Sequence, residues 1–138
     1  MTKKMNNKGF SLVELIIVIA IMAVLIGILA PQYMKYVKKS RISTDITNAE
    51  ELATAINVAI SDPDKTVAVT SGTAFASNAT VITEGTPAVI LVKAPVPKVT
   101  ASDNWTVTFD TTKGVTKIEL GGSEIYPTSS AYETAKSS

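Results

Sequence analysis

The stretch Lys8-Gly9-Phe10-Ser11-Leu12-Val13-Glu14 is the most informative part of the chain. It joins a short basic leader to a hydrophobic segment, residues 10–30, in which Glu14 is the only ionisable side chain. A segment of this length can cross a hydrocarbon layer of about 30 Å as a helix. An acidic residue inside such a span costs roughly 2.5–3.5 kcal/mol on insertion scales. We therefore expect Glu14 to have a partner that compensates this cost.

The candidate partner of Glu14 is an amino group in the same segment. If the chain is cleaved after Gly9, Phe10 gains an α-amino group that is largely protonated at neutral pH. The helix dipole disfavours a positive charge at a helix N-terminus and favours a carboxylate there. Because Glu14 lies four residues after Phe10, both share one helix face. The carboxylate can then reach the amine of its own chain or of a neighbouring one.

The run GFSLVELIIVIAIMAVLIGILAP at residues 9–31 closely resembles the N-terminal motif of the type IV prepilin family. The resemblance implies cleavage after Gly9 by a membrane prepilin peptidase, N-methylation of Phe10, and polymerisation through the hydrophobic helix into a homo-oligomeric filament. It implies that Glu14 neutralises the Phe10 amine of an adjacent subunit. It also implies two further partners, a platform membrane protein and an assembly ATPase. No motif indicates whether the fibre serves twitching motility, adhesion or DNA uptake.

The same resemblance implies a division of the chain and a location. Residues 1–9 would be a cytoplasmic leader, residues 10–34 the transmembrane and filament-core half of a helix, and residues 35–138 the globular pilin domain. The precursor would cross the bacterial cytoplasmic membrane once, and the assembled chain would lie in an extracellular pilus. Charges alone do not fix the orientation, because basic residues lie on both sides of the span. They are Lys3, Lys4 and Lys8 before it, and Lys35, Lys38, Lys39 and Arg41 after it.

Other interpretations of the hydrophobic segment are open. A secretory signal peptide would be shorter, and cleavage after Ala30 would place Pro31 at the new N-terminus. A plain membrane anchor fits the length but leaves Glu14 unexplained. Within the family, the chain could be a major pseudopilin of a type II secretion or DNA-uptake system. Outside it, the chain could be a membrane-tethered binding domain that never polymerises.

Composition argues against several classes of function. The chain has no histidine, no cysteine and no S-x-x-K motif, so the usual nucleophile and base pairs are missing. Removal of residues 1–9 takes three of the 13 basic residues and none of the 12 acidic ones, which leaves a net charge of −2. This charge argues against an obligate nucleic-acid partner. We predict a structural protein that is not an enzyme and needs no cofactor.

We also predict no metal site. Asp62-Pro63-Asp64 lacks the calcium-binding EF-hand pattern and is expected to be a turn that ends a helix. Three acidic residues lie near the end of the chain, where some major pseudopilins bind calcium, but they show no ligand spacing. They are Glu119, Glu124 and Glu133.

The absence of cysteine separates this chain from many relatives. Many pilins of Gram-negative bacteria close a C-terminal loop with a disulfide, so the resemblance here favours a Gram-positive source or a pseudopilin. It leaves open how the C-terminal region is held.

An amphipathic pattern predicts that the helix continues well beyond the span. Apolar residues recur at spacings of three and four. They are Ile42, Ile46, Ala49, Ala53, Ile56 and Ile60. Since Asp62-Pro63 should end the pattern, one helix would cover residues 10–61.

Inside this helix, Gly27 and Pro31 predict a point at which the helix can bend or locally unwind, because proline removes the hydrogen bond to the Gly27 carbonyl. The basic cluster after Pro31 could pair with Asp45, Glu50 and Glu51 of a neighbouring subunit, although a solvated helix face is the simpler interpretation.

From residue 66 onward the pattern becomes that of β-structure. Residues 88–93, 105–109 and 115–120 are predicted strands, with Trp105 as a core anchor. Three or four antiparallel strands packed on the helix would give an α+β, pilin-like fold. Residues 66–87 and 121–138 are rich in Thr, Ser, Gly and Ala, and are predicted to be exposed connections.

Overall fold

The computed structural model describes residues 9–137. The predicted leader therefore lies outside the described residues except for Gly9. The chain divides into two units, the first ending at Val37 and the second running from Lys38 onward. The elements are α1 (Leu12–Ser61), β1 (Lys65–Val67), β2 (Ala74–Phe75), β3 (Thr80–Glu84), β4 (Val89–Lys93), β5 (Trp105–Asp110), β6 (Gly114–Leu120), β7 (Ser123–Tyr126) and α2 (Ser130–Ser137). This order confirms the predicted α+β, pilin-like fold.

The first helix is one continuous element of 50 residues. It ends at Ser61 as predicted, because Asp62 and Pro63 begin a turn in which the Asp62 side chain accepts a hydrogen bond from the backbone N–H of Asp64. Residues 27–31 are helical despite Gly27 and Pro31. Local unwinding there stays a prediction for the filament.

Within the first unit, the helix has no apolar cover. Leu12, Val24 and Met34 are 74%, 63% and 65% exposed, and the other large apolar side chains between Phe10 and Tyr36 are half or more exposed. By length and composition this is a helix that could cross a membrane, and its most apolar stretch is not buried by the rest of the described chain. Such a surface needs lipid or another helix around it.

Within the second unit, the predicted stripe on α1 faces the core. Ile42, Ala49, Ala53 and Ile56 are buried, and Ile46 and Ile60 are partly buried against them. Seven strands cover this face in two antiparallel sheets, of order β1-β3-β4 and β2-β5-β6-β7. The buried core is completed by Leu52, Ala59, Val81, Ile82, Ala94, Trp105, Val107, Val115, Ile118, Leu120, Ile125 and Tyr132.

Strands β5 and β6, which lie at two of the predicted strand positions, form an antiparallel hairpin that is tied to α1. Gly114 has a φ of +78°, which an L side chain rarely adopts, and a Cβ there would lie 2.4 Å from Asn57 Oδ1. The same Oδ1 accepts the backbone N–H of Val115 at 2.7 Å. Glycine at this turn therefore lets the hairpin approach the helix closely enough for that bond.

Two predicted connections are in fact structured, so those predictions were wrong. Residues 66–87 contain β2, β3 and most of β1, and Val81 and Ile82 of β3 are in the core. Residues 121–138 contain β7 and α2, from which Ile125 and Tyr132 are buried. Their small polar residues are exposed or partly exposed, and a few apolar residues between them reach the core.

We expect a fragment starting at Lys35 to be a soluble, cooperatively folded monomer. Every buried core residue lies at or after Ile42, so removing the exposed apolar segment takes nothing from the core. Urea unfolding and sedimentation would measure this, with the detergent-solubilised full chain as control. An aggregated or non-cooperative fragment would contradict the placement of the core.

Candidate functional site

The N-terminus of α1 is closed by a reciprocal capping box between Ser11 and Glu14. The backbone N–H of Ser11 donates to Glu14 Oε2 at 2.8 Å, and the backbone N–H of Glu14 donates to Ser11 Oγ at 3.2 Å. Each side chain thus satisfies a backbone donor that the first helical turn leaves without a partner. The carboxylate also lies where the helix dipole favours a negative charge.

This contact gives Glu14 a partner within its own chain. Sequence reasoning looked only for the Phe10 amine and missed Ser11, although the S-x-x-E spacing before an apolar run is the usual signal of a capping box. The carboxylate is held beside the backbone nitrogen of the residue directly after Phe10. The nitrogen that cleavage after Gly9 would turn into an amine belongs to the preceding residue, Phe10.

The Gly9–Phe10 junction is accessible. Gly9 is exposed, a Cβ built on it would meet no heavy atom within 4 Å, and Phe10 is 94% exposed. Because α1 begins at Leu12, the bond between them lies outside the helix. A protease can bind such a bond without unfolding regular structure.

The other predicted assembly residues lie further along the exposed helix. Gly27 has open space around its Cβ position, and Pro31 lies within the continuous helix. The structure does not place Gly27 or Pro31 near Glu14, because Glu14 lies in the first turn of α1 and the other two lie several turns further along it. Their role in assembly stays a prediction.

Asp45 is not available to a neighbouring subunit, so its predicted pairing there was wrong. Its side chain is fully buried, at 0% exposure. Position 45 falls on the same face as Ile42 and Ala49, at spacings of three and four, which places it against the core. By contrast Glu50 and Glu51 are exposed and stay candidates for pairing between subunits.

The buried carboxylate of Asp45 joins three parts of the second unit. Its Oδ1 accepts the backbone N–H of Lys98 at 2.6 Å, and its Oδ2 accepts the backbone N–H of Val99 at 3.0 Å. Oδ2 also accepts the Tyr132 hydroxyl at 2.7 Å. Hydrogen bonds to an ionised acceptor are about twice as strong as neutral ones, and here they satisfy a charge that burial would otherwise penalise. We call Asp45 and these three donors the C-terminal clasp.

A second contact holds α2 on the outer side of the clasp. Lys136 Nζ lies 2.6 Å from Asp103 Oδ2, and both side chains are less than one fifth exposed. The same ammonium lies 5.9 Å from the centre of the Tyr132 ring, within the range of a cation–π contact. Hydrogen bonds and one ion pair thus fasten the C-terminal region of a chain that has no cysteine.

Burial raises the pKa of the Tyr132 hydroxyl well above its ordinary value near 10, and its hydrogen bond to Asp45 raises it further. The folded domain therefore keeps a proton that the unfolded chain loses above pH 10. The clasp's contribution to stability is complete below that pH and is lost as the pH rises above it, by up to about 1.4 kcal/mol per pH unit.

We accordingly expect the urea midpoint of the fragment from Lys35 to fall between about pH 9.5 and 11, and to fall less in Tyr132→Phe. Urea titrations across this range would measure the difference. Tyr36→Phe, at a side chain that is 71% exposed, is the matched control and should keep the wild-type profile. Identical pH profiles for wild type and Tyr132→Phe would contradict the role of the buried hydroxyl.

The three C-terminal carboxylates do not converge on one point. Glu119 pairs with Lys117 at 2.8 Å, Glu124 accepts the Thr128 hydroxyl, and Glu133 accepts the Ser129 hydroxyl. Among residues 9–137, no group of three acidic, histidine or cysteine side chains could hold a metal ion.

A long N-terminal helix with an exposed apolar first part and a capped acid, followed in the chain by antiparallel sheets that cover its later part, defines a pilin-like α+β architecture. Comparison with known proteins agrees. Residues 4–30 match the family described as prokaryotic N-terminal methylation motif. The chain is 39% identical over 62 residues to the type IV major fimbrial protein FimA of Dichelobacter nodosus, which covers 45% of this chain and 39% of that protein. No solved structure matches the chain significantly.

Other relatives show the same pattern. The chain is 44% identical over 51 residues to a fimbrial protein of Moraxella nonliquefaciens, which covers 37% of this chain and 33% of that protein. It is 38% identical over 60 residues to the type IV major pilin protein PilA of Myxococcus xanthus, which covers 44% of this chain and 27% of that protein. The chain thus matches well under half the length of these relatives. The motif and these similarities show that less than half of the chain is similar to type IV fimbrial and pilin proteins.

Proposed function

We propose that the chain is the structural subunit of a type IV pilus, made as a membrane-anchored precursor and polymerised through α1. The observation that carries the proposal is an apolar helical surface without cover, whose one acidic side chain is held at its N-terminal end by the backbone N–H of Ser11, the residue after Phe10. The relatives named above are fimbrial proteins, which favours a pilus over the pseudopilus of a secretion or DNA-uptake system. No observation favours a tethered binding domain.

In this proposal, cleavage of the precursor creates the amino group that is needed for assembly. Prepilin peptidase cleaves the exposed bond after Gly9, and Phe10 gains an amine that is then methylated. Before assembly, Glu14 is satisfied by Ser11 of its own chain, so the carboxylate enters the membrane with a partner. When subunits associate, the Phe10 amine of a neighbouring copy approaches Glu14, and the two charges compensate each other in a water-poor core.

Location and partners follow from the same scheme. The precursor spans the cytoplasmic membrane once with its N-terminus in the cytoplasm, and the assembled chain lies on the cell surface. Its partners are other copies of itself, prepilin peptidase, a platform membrane protein and an assembly ATPase. Nucleic acid is not required for assembly.

Processing gives the most direct test. We expect mass spectrometry of the mature protein to find Phe10 at the N-terminus with one added methyl group. Gly9→Val should leave uncleaved precursor in the membrane, because a branched side chain would crowd a backbone position where the described residues leave room for the peptidase. Gly27→Val is the matched control, since its Cβ also meets nothing and the site is remote from the junction. A mature N-terminus at Met1, Pro31 or Gln32 would refute the proposed function.

A further inference from the structure

One end of β4 carries an exposed apolar surface at the open edge of the smaller sheet. The order β1-β3-β4 leaves β4 unpaired on its outer side within residues 9–137. Val89, Ile90 and Leu91 follow one another in this strand and are 60%, 50% and 43% exposed. Because successive side chains of a strand point to opposite faces, exposure of all three means that neither face of this end is covered. We call these three residues the β4 patch.

The β4 patch is unusual for the unit that contains it. Among its described residues, the other large apolar side chains that are exposed are Val58 and Val96, which are separate in sequence. The pairing of β3 with β4 joins Ile82 to Val92 and Thr83 to Ile90, so Leu91 bulges without a partner. An open edge with consecutive branched side chains is a surface on which other chains associate, unless something covers it.

The size of the β4 patch limits what can cover it. Three half-exposed side chains present a few hundred Å², whereas each partner of a stable dimer buries roughly 800 Å². The patch therefore cannot hold a free partner by itself. It can strengthen an association that another surface already maintains, because a tethered contact forms at high effective concentration. Neighbouring subunits of a filament, joined through α1, meet this condition.

We propose that the β4 patch is covered by a second copy of this chain in the assembled filament. The inference rests on the proposed function, which supplies copies at fixed spacing. It adds a contact between globular domains to the contact between apolar helices. The contact is head-to-tail, because identical subunits pointing along one fibre use different surfaces on their two sides.

Cysteine labelling tests this directly, because the chain has no cysteine of its own. Purified filaments of Ile90→Cys are treated with a maleimide before and after dissociation in detergent. We expect labelling to be at least tenfold slower in the intact filament. The matched control is Thr111→Cys, in the exposed turn between β5 and β6, which should react within about twofold of the same rate in both states. Val89→Cys repeats the test at the adjacent position in case one substitution disturbs the fibre.

Each outcome of the labelling decides the proposal. Equal rates for Ile90→Cys before and after dissociation would overturn it. Protection that persists in the dissociated chain would also overturn it, because a neighbouring copy could not be the cause. So would equal protection of both cysteines, because the filament would then shield its whole surface. Failure to recover any filament that contains this chain would instead refute the proposed function, so the two failures are distinguishable.

Discussion

Glu14→Gln is expected to reduce the number of pili per cell by at least tenfold while the protein remains at normal levels in the membrane. Glutamine keeps the capping box, because its side-chain oxygen can still accept the Ser11 N–H. It removes the negative charge that we propose to compensate the Phe10 amine of a neighbouring copy. An unpaired ion in a water-poor core carries a penalty of several kcal/mol. Electron microscopy of sheared cells and immunoblots of membranes would measure both quantities.

Two further variants separate the charge of Glu14 from its capping role. Ser11→Ala keeps the charge and removes the acceptor for the Glu14 N–H, at a cost of about 0.5–2 kcal/mol in helix stability. It should therefore reduce piliation less than Glu14→Gln. Glu14→Leu removes both functions, and it should enter the membrane at least as well as wild type because the insertion cost of an acid is gone.

The ranking of these variants identifies which function of Glu14 matters. If Glu14→Gln makes pili in wild-type number and length, charge pairing does not register the subunits and the proposed assembly step is wrong. If Ser11→Ala is as defective as Glu14→Gln, capping of the helix is the more important function.

Asp45→Ala is expected to destabilise the globular domain by about 3–5 kcal/mol, a large part of the stability of a domain this size. The substitution leaves the N–H groups of Lys98 and Val99 and the hydroxyl of Tyr132 without their acceptor in a buried site. The C-terminal helix should also become sensitive to proteolysis. Urea unfolding and limited proteolysis of the fragment from Lys35 would measure these effects.

Matched variants show whether the loss comes from the clasp. Tyr132→Phe removes one of three hydrogen bonds and should cost about 1.5–3 kcal/mol. Glu50→Ala removes an exposed acid from the same helix and should change stability by less than about 0.5 kcal/mol. A loss below about 1 kcal/mol for Asp45→Ala would show that the C-terminal region is held by other contacts.

Periodic segments of the chain could be predicted from sequence because their apolar residues follow the geometry of the element. The stripe from Ile42 to Ile60 repeats at three and four, and Trp105, Val107 and Phe109 alternate in β5. Strands of two or three residues such as β1 and β2 are too short to show a period. Their positions depend on pairing with strands that lie further along the chain. A local sequence pattern does not indicate such pairing.

Glu14, in the capping box, and Asp45, in the C-terminal clasp, show different limits of prediction from sequence. Ser11 could have been found, because the S-x-x-E spacing is local and general. The spacing of Asp45 from Ile42 and Ala49 places it on the buried face, but an acid there is normally assigned to solvent. Its donors lie 53, 54 and 87 positions away, so only the folded chain reveals them.

The position of the clasp along the chain has a consequence for biogenesis. Asp45 is synthesised 87 residues before Tyr132, whose hydroxyl it accepts. A polypeptide truncated by premature termination or proteolysis before Tyr132 would lack one hydrogen-bond donor to the Asp45 carboxylate. It would have to bury that carboxylate with an unmet hydrogen bond or stay partly unfolded. Exposed backbone of that kind is what surface proteases cleave. Resistance to proteolysis would thus depend on a chain that extends at least to Tyr132.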